Sequence, residues 1–75
     1  MISRDDPRPV YAQLADILRA RIASGAITGR LPSERELQQE FGTAPMTSRK
    51  AIRMLADEGL VTTVAGRGTF VVRKD

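Results

Sequence analysis

Apolar residues recur along this chain with two different periods. From Val10 to Ser24, Tyr11, Leu14, Ala15, Leu18 and Ile22 return every three or four positions, the spacing that builds one helix face, and Gly25 follows as a stop. Pro9 suits the first helical position, where a missing N–H costs nothing. A second helix is announced by Pro32-Ser33-Glu34-Arg35-Glu36: the Ser33 hydroxyl can accept from the amide three residues on, and Glu36 can reach back to the Ser33 amide. Leu37 and Phe41 supply its buried face and Gly42 ends it. After Thr43-Ala44, Pro45 opens a third helix, spanning about residues 45–58, with Gly59 behind it. On that helix Ser48, Ala51, Ile52 and Leu55 share one side, and Arg49, Lys50 and Arg53 lie opposite.

Beyond Gly59 the pattern becomes that of strands. Leu60-Val61-Thr62-Thr63-Val64 and Thr69-Phe70-Val71-Val72 are rich in β-branched and aromatic residues, and Ala65-Gly66-Arg67-Gly68 joins them as a four-residue turn with an arginine at its tip. The Gly-interrupted stretch between the first two helices reads as a connection or a short edge strand near residues 27–31. Two helices joined by a tight turn and followed by a two-stranded ribbon describe an α+β domain of the winged helix-turn-helix type, three helices with a C-terminal β-hairpin wing. The expected organisation is a flexible N-terminal segment at 1–8, the domain at 9–72 and a tail at 73–75.

Composition narrows what such a domain can do. Seventy-five residues suffice for one small domain, and with no Cys and no His there is no disulfide, no zinc site of the usual ligands, no thiol nucleophile and no imidazole base. Neither a metal nor a cofactor is expected. Lys50 sits on a solvated basic face that gives it no reason to lose its proton, and Gly66-Arg67-Gly68 lacks the strand before and helix after that a phosphate loop needs. An enzyme is therefore not expected. The chain shows neither a signal-peptide pattern nor an apolar run long enough to span a membrane, which leads to the expectation of a cytoplasmic, nucleoid-associated protein with no membrane partner.

The net charge of +3 is small, but it is unevenly placed. Residues 1–48 carry six basic and six acidic side chains, whereas 49–75 carry six basic and three acidic ones. No acidic residue interrupts the basic face of the third helix before Asp57, unlike an ordinary solubilising face, which interleaves both signs. The major groove of B-DNA, about 12 Å wide, admits one α-helix, and the N-terminal residues of the second helix of a helix-turn-helix reach the base edges. Here those residues are Pro45, Met46, Thr47, Arg49 and Lys50. Arg49 can offer two parallel donors to guanine, Thr47 can bond a base or phosphate, Met46 can pack on a thymine methyl, and Arg53, one turn on, suits a phosphate. Gly-flanked Arg67 can enter a narrow minor groove, and Arg35 can pair with Glu34 or Glu36, or bond a phosphate.

Leu31-Pro32-Ser33-Glu34-Arg35-Glu36-Leu37, then Phe41-Gly42, Arg49 with Ala51, Asp57-Glu58-Gly59-Leu60-Val61 and Gly66-Arg67-Gly68-Thr69-Phe70-Val71 together resemble the DNA-binding domain of GntR-family bacterial transcriptional regulators. The resemblance covers residues 9–72. It implies a dimer on a palindromic double-stranded operator, acting as a repressor until an effector binds a separate domain. By position it implies DNA contacts from Arg35, Thr47 and Arg49, with Gly66 at the wing tip in the minor groove. The chain departs from the family pattern at Thr43-Ala44-Pro45-Met46-Thr47-Ser48, where members commonly have Val-Ser-Arg-Thr-Thr-Val: Ala44 replaces a capping serine, Pro45 stands where a base-reading arginine is usual, and Lys50 replaces an acidic residue. A non-standard operator bound more through phosphates is the expected consequence. Since no effector domain follows Asp75, the expected species is a monomer or weak dimer that pairs on DNA, as the reading portion of a longer regulator or a small stand-alone member. A protein-interaction module on the same fold and a non-specific DNA binder are the rival readings.

Overall fold

The computed structural model describes residues 2–3 and 5–72, so the tail expected at 73–75 lies outside the described residues. Three helices, α1 (Val10–Ser24), α2 (Glu34–Phe41) and α3 (Pro45–Asp57), precede a hairpin of β1 (Val61–Val64) and β2 (Gly68–Val71). α1 begins one residue later than its proline suggested: Pro9 has extended ψ and acts as the N-cap, its carbonyl accepting from the amides of Ala12 at 3.0 Å and Gln13 at 3.3 Å. The proline ring fixes φ equally well for either position, so sequence alone leaves this one-residue ambiguity.

α2 starts as its motif predicts. The Glu36 amide donates to Ser33 Oγ at 3.1 Å and the Ser33 amide donates to Glu36 Oε1 at 3.0 Å, and the Ser33 amide, with help from the Ser33 hydroxyl, holds the Glu36 carboxyl below the usual glutamate range. α3 starts differently, on an Ala44 that offers no side-chain bond, with Pro45 setting the first backbone angle. Thr43 and the buried Ser48 bond through their hydroxyls at 2.7 Å, which satisfies the one polar side chain on the inner face of α3.

The core is Leu14, Ala15 and Leu18 of α1, Leu31 before α2, Leu37 of α2, Ala51, Ile52 and Leu55 of α3, and Val61 of β1. Phe41, expected inside, is only partly buried, with the Arg21 guanidinium 5.3 Å from its ring centroid; Tyr11 and Ile22 are likewise partly buried. The buried polar residue of α1 is Gln13, whose Oε1 accepts from the Ser3 amide at 2.7 Å and whose Nε2 donates to the Arg8 carbonyl at 3.1 Å. Together with Ile2 packed on the core, these bonds tie the segment before α1 to the helix bundle.

The wing is antiparallel, with Val61 opposite Val71 and Val64 opposite Gly68. That register leaves a loop of three residues, Ala65, Gly66 and Arg67, rather than four, because Gly68 already belongs to β2. The Arg67 amide closes the turn on the Val64 carbonyl at 3.0 Å, and Gly66 sits at φ 76°, a left-handed angle that favours glycine. The stretch near 27–31 resolves to a single antiparallel bridge, Arg30 opposite Phe70, flanked by Leu31 N–H to Thr69 O and Val71 N–H to Gly29 O, both 2.8 Å. It gives β2 a second neighbour and ties the wing to the start of α2. Among the described residues no helix is long and apolar enough to cross a membrane.

Candidate nucleic-acid interface

A cleft of about 740 Å³ opens between the start of α2, the outer face of α3 and the wing. Arg30, Arg35, Arg49, Arg53 and Arg67 all line it, with Glu34 as the one acidic lining residue among the described residues. The five arginines come from four structural devices. Arg30 stands on the bridge to β2, Arg35 on the first turn of the capped α2, Arg49 and Arg53 one turn apart on α3, and Arg67 in the three-residue wing turn.

The ion pairs distribute in a way the sequence did not reveal. Among the described residues, Arg30, Arg35, Arg53 and Arg67 have no carboxylate within ion-pair distance, so neither Glu34 nor Glu36 takes Arg35. Arg49 is held by Glu34 through two contacts of 3.3 Å, one from Nε and one from a terminal nitrogen. Those are long for hydrogen bonds to a carboxylate, and both side chains are substantially exposed. Beside Arg35, the backbone amides of Ser33 and Glu36 are engaged in the capping box.

Lys50 does not join this cleft. Its Nζ lies 4.0 Å from the centroid of the Tyr11 ring on α1, so the basic face drawn on a helical wheel is divided: Arg49 and Arg53 turn to the wing, Lys50 to α1. Of the remaining expected residues, Pro45 and Met46 are exposed, Met46 at 67%, and Thr47 is partly buried. All three lie on the first turn of α3, outside the cleft lining, and Met46, Arg49 and Arg53 fall on one helical stripe. Gly66 and Arg67 form its wing-side rim. The residues that sequence reasoning missed are Arg30, Glu34, Thr63 and Thr69. Only the edge-strand signal near 27–31 pointed toward Arg30.

Residues 10–71 match the profile described as bacterial regulatory proteins, gntR family. The chain belongs to the GntR family. It is 42% identical over 72 residues to the HTH-type transcriptional repressor NagR of Bacillus subtilis (strain 168), an alignment covering 93% of this chain and 30% of that protein. The chain therefore spans under a third of the length of such curated relatives. Among solved structures it is similar to YtrA from Sulfolobus acidocaldarius, a GntR-family transcription factor, with a TM-score of 0.88 and 34% identity over 100% of this chain and 81% of that one. It is also similar to AraR(DBD) in complex with operator ORE1, with a TM-score of 0.84 and 38% identity over 96% and 90% of the two chains. This GntR-family domain thus has the winged-helix architecture of regulators, not of enzymes.

Proposed function

We propose that this GntR-family domain binds double-stranded DNA sequence-specifically as the reading portion of a bacterial transcriptional repressor. The carrying observation is the cleft with five arginines from four separate parts of the chain and, among the described residues, one glutamate on its lining. A polyanion running past α2, α3 and the wing matches that charge, and the AraR relative solved with its operator supports DNA as the polyanion. In this reading the Met46, Arg49 and Arg53 stripe faces the major groove, Pro45 and Thr47 flank it, and the wing tip with Gly66 and Arg67 enters the minor groove. Arg35 and Arg53 hold phosphates. Lys50, seated on Tyr11, approaches DNA from the side of α3 turned toward α1. The site of action is the nucleoid in the cytoplasm.

The domain works as a pair, one copy on each half of a palindromic operator, and is a monomer or weak dimer without DNA. Pro45 in place of a base-reading arginine shifts affinity toward phosphates and makes the operator differ from the common half-site of the family. In-vitro selection of duplexes, followed by binding across a salt series, tests the whole reading. Both a sequence preference and a steep salt slope are expected. A slope without preference would mean general DNA binding, and no affinity at all would mean a protein-interaction module. Sedimentation showing a tight dimer at micromolar protein without DNA would contradict pairing on the operator.

A further inference from the structure

Arg30 belongs to none of the helix or wing positions through which a winged helix-turn-helix is read above, yet it lines the same cleft and is anchored to the wing by its backbone. Its backbone lies on the antiparallel bridge to Phe70, with a 2.8 Å hydrogen bond on either side from Leu31 and Val71. Its side chain crosses β2 at Gly68: a Cβ built there would stand 3.0 Å from Arg30 Nε and 3.8 Å from its Cδ and Cζ. Gly68 also has φ 120°, so the position is glycine both for its backbone angle and for the room it leaves the guanidinium. Among the described residues no carboxylate pairs with Arg30, although Arg8, Arg19 and Arg21 all have partners.

We infer that Arg30 is a DNA-phosphate contact, a clamp on the backbone strand that separates the groove filled by α3 from the groove entered by the wing. The assignment rests on the DNA-binding reading proposed above. Its geometric basis is that Arg30 lines the cleft between those two elements, and what separates a major groove from the adjoining minor groove is the sugar–phosphate strand. A cation at that place carries no base information and fixes how far the wing reaches relative to α3. Gly68 is the residue that positions it.

The test compares the wild-type protein with Arg30→Ala, Arg30→Lys and Gly68→Ala on one selected duplex and on single-base variants of it, across a salt series. Arg30→Ala should lower the salt slope by about 0.9 and weaken binding about fivefold at physiological salt, equally for all duplexes, and Arg30→Lys should restore the slope. Gly68→Ala should weaken binding more in the wild type than in the Arg30→Ala background, because the backbone strain is common to both while the displaced guanidinium is not. An unchanged slope in Arg30→Ala, a loss confined to variants at one base pair, or strictly additive Arg30 and Gly68 effects would each overturn the assignment. Wild-type protein that shows no affinity for any duplex would instead sink the DNA reading itself, so the two failures are distinguishable. Circular dichroism of each variant shows that a loss of binding is not a loss of fold.

Discussion

The arginines of this domain fall into two sets that the same side-chain chemistry puts to different uses. On the α1 side, Arg8 pairs with Asp6 and Asp16, Arg19 with Asp16 and, through two bonds of 2.8 and 2.6 Å, with Glu58, and Arg21 with Glu40 at 2.6 Å. These pairs join α1 to the preceding segment, to the end of α3 and to α2. On the cleft side, Arg30, Arg35, Arg53 and Arg67 have no such partners among the described residues, and Arg49 has only the long contact to Glu34. The paired carboxylates thus stand mostly where helices meet, and the cleft arginines keep their positive charge largely uncompensated among the described residues. Counting charge along the chain hides this, because Arg30 and Arg35 belong to a half of the sequence that is neutral in sum.

The sharpest way to break the contrast is to remove one arginine from the cleft. Arg49→Ala should cost about 1–3 kcal/mol of discrimination at one base pair, measured as relative affinity for operator variants, while leaving the thermal midpoint nearly unchanged. Uniform weakening across all variants would reassign Arg49 to phosphate. Arg67→Ala comes next. Acting through the wing alone, it should weaken binding about five- to tenfold, with the largest effect on duplexes whose minor groove is narrow beneath the wing. No dependence on the sequence under the wing would remove Arg67 from the minor groove.

What was legible in the sequence follows from how far each interaction reaches. The capping box of α2 joins residues three apart, and the hairpin joins segments linked by one turn, so local chemistry announced both. Arg35, Arg49, Arg53 and Arg67 could be placed together because the three elements bearing them were recognised. Arg30 could not, since only the bridge to Phe70 brings it to the wing. Lys50 follows Arg49 by 100° on an α-helical wheel and fits a basic face drawn on α3 alone; that Tyr11 waits on α1 is a tertiary fact. Glu58 stands at the end of α3, where the helix dipole disfavours an acid, and its partner there is Arg19, thirty-nine residues earlier in the chain.

Glu34 sharpens the contrast from the other direction, as the one carboxylate lining the cleft among the described residues. Its contact with Arg49 is long and exposed, and any phosphate entering the cleft meets its negative charge. Glu34→Gln should therefore raise operator affinity about two- to fivefold, mainly through faster association at low salt. Weaker binding would mean that Glu34 orients Arg49 for DNA rather than competing for it.

The smallest effect is expected on the paired side. Glu40 accepts from Arg21 at 3.1 and 2.6 Å, and this bond holds its carboxyl below the usual glutamate range. Since the folded-state value is depressed, the stabilisation is complete above the unfolded-state value of about 4.3 and is lost as pH falls through the lower folded value. Glu40→Gln should lower stability by about 0.2–1 kcal/mol at neutral pH, as exposed ion pairs do, which for a domain of this size is about 1–6 °C in the thermal midpoint. The difference between wild type and variant should shrink toward zero as the carboxyl protonates, and operator affinity should stay within about twofold, since the pair faces away from the cleft charges. Thermal melts from pH 7 down into the acid range, paired with binding at pH 7, check both halves. A stability difference that survives protonation would show that the Gln side chain disturbs packing near Phe41 rather than removing a charge. A large change in affinity would show that the two sets of arginines are coupled through α2, and the division between them would fail.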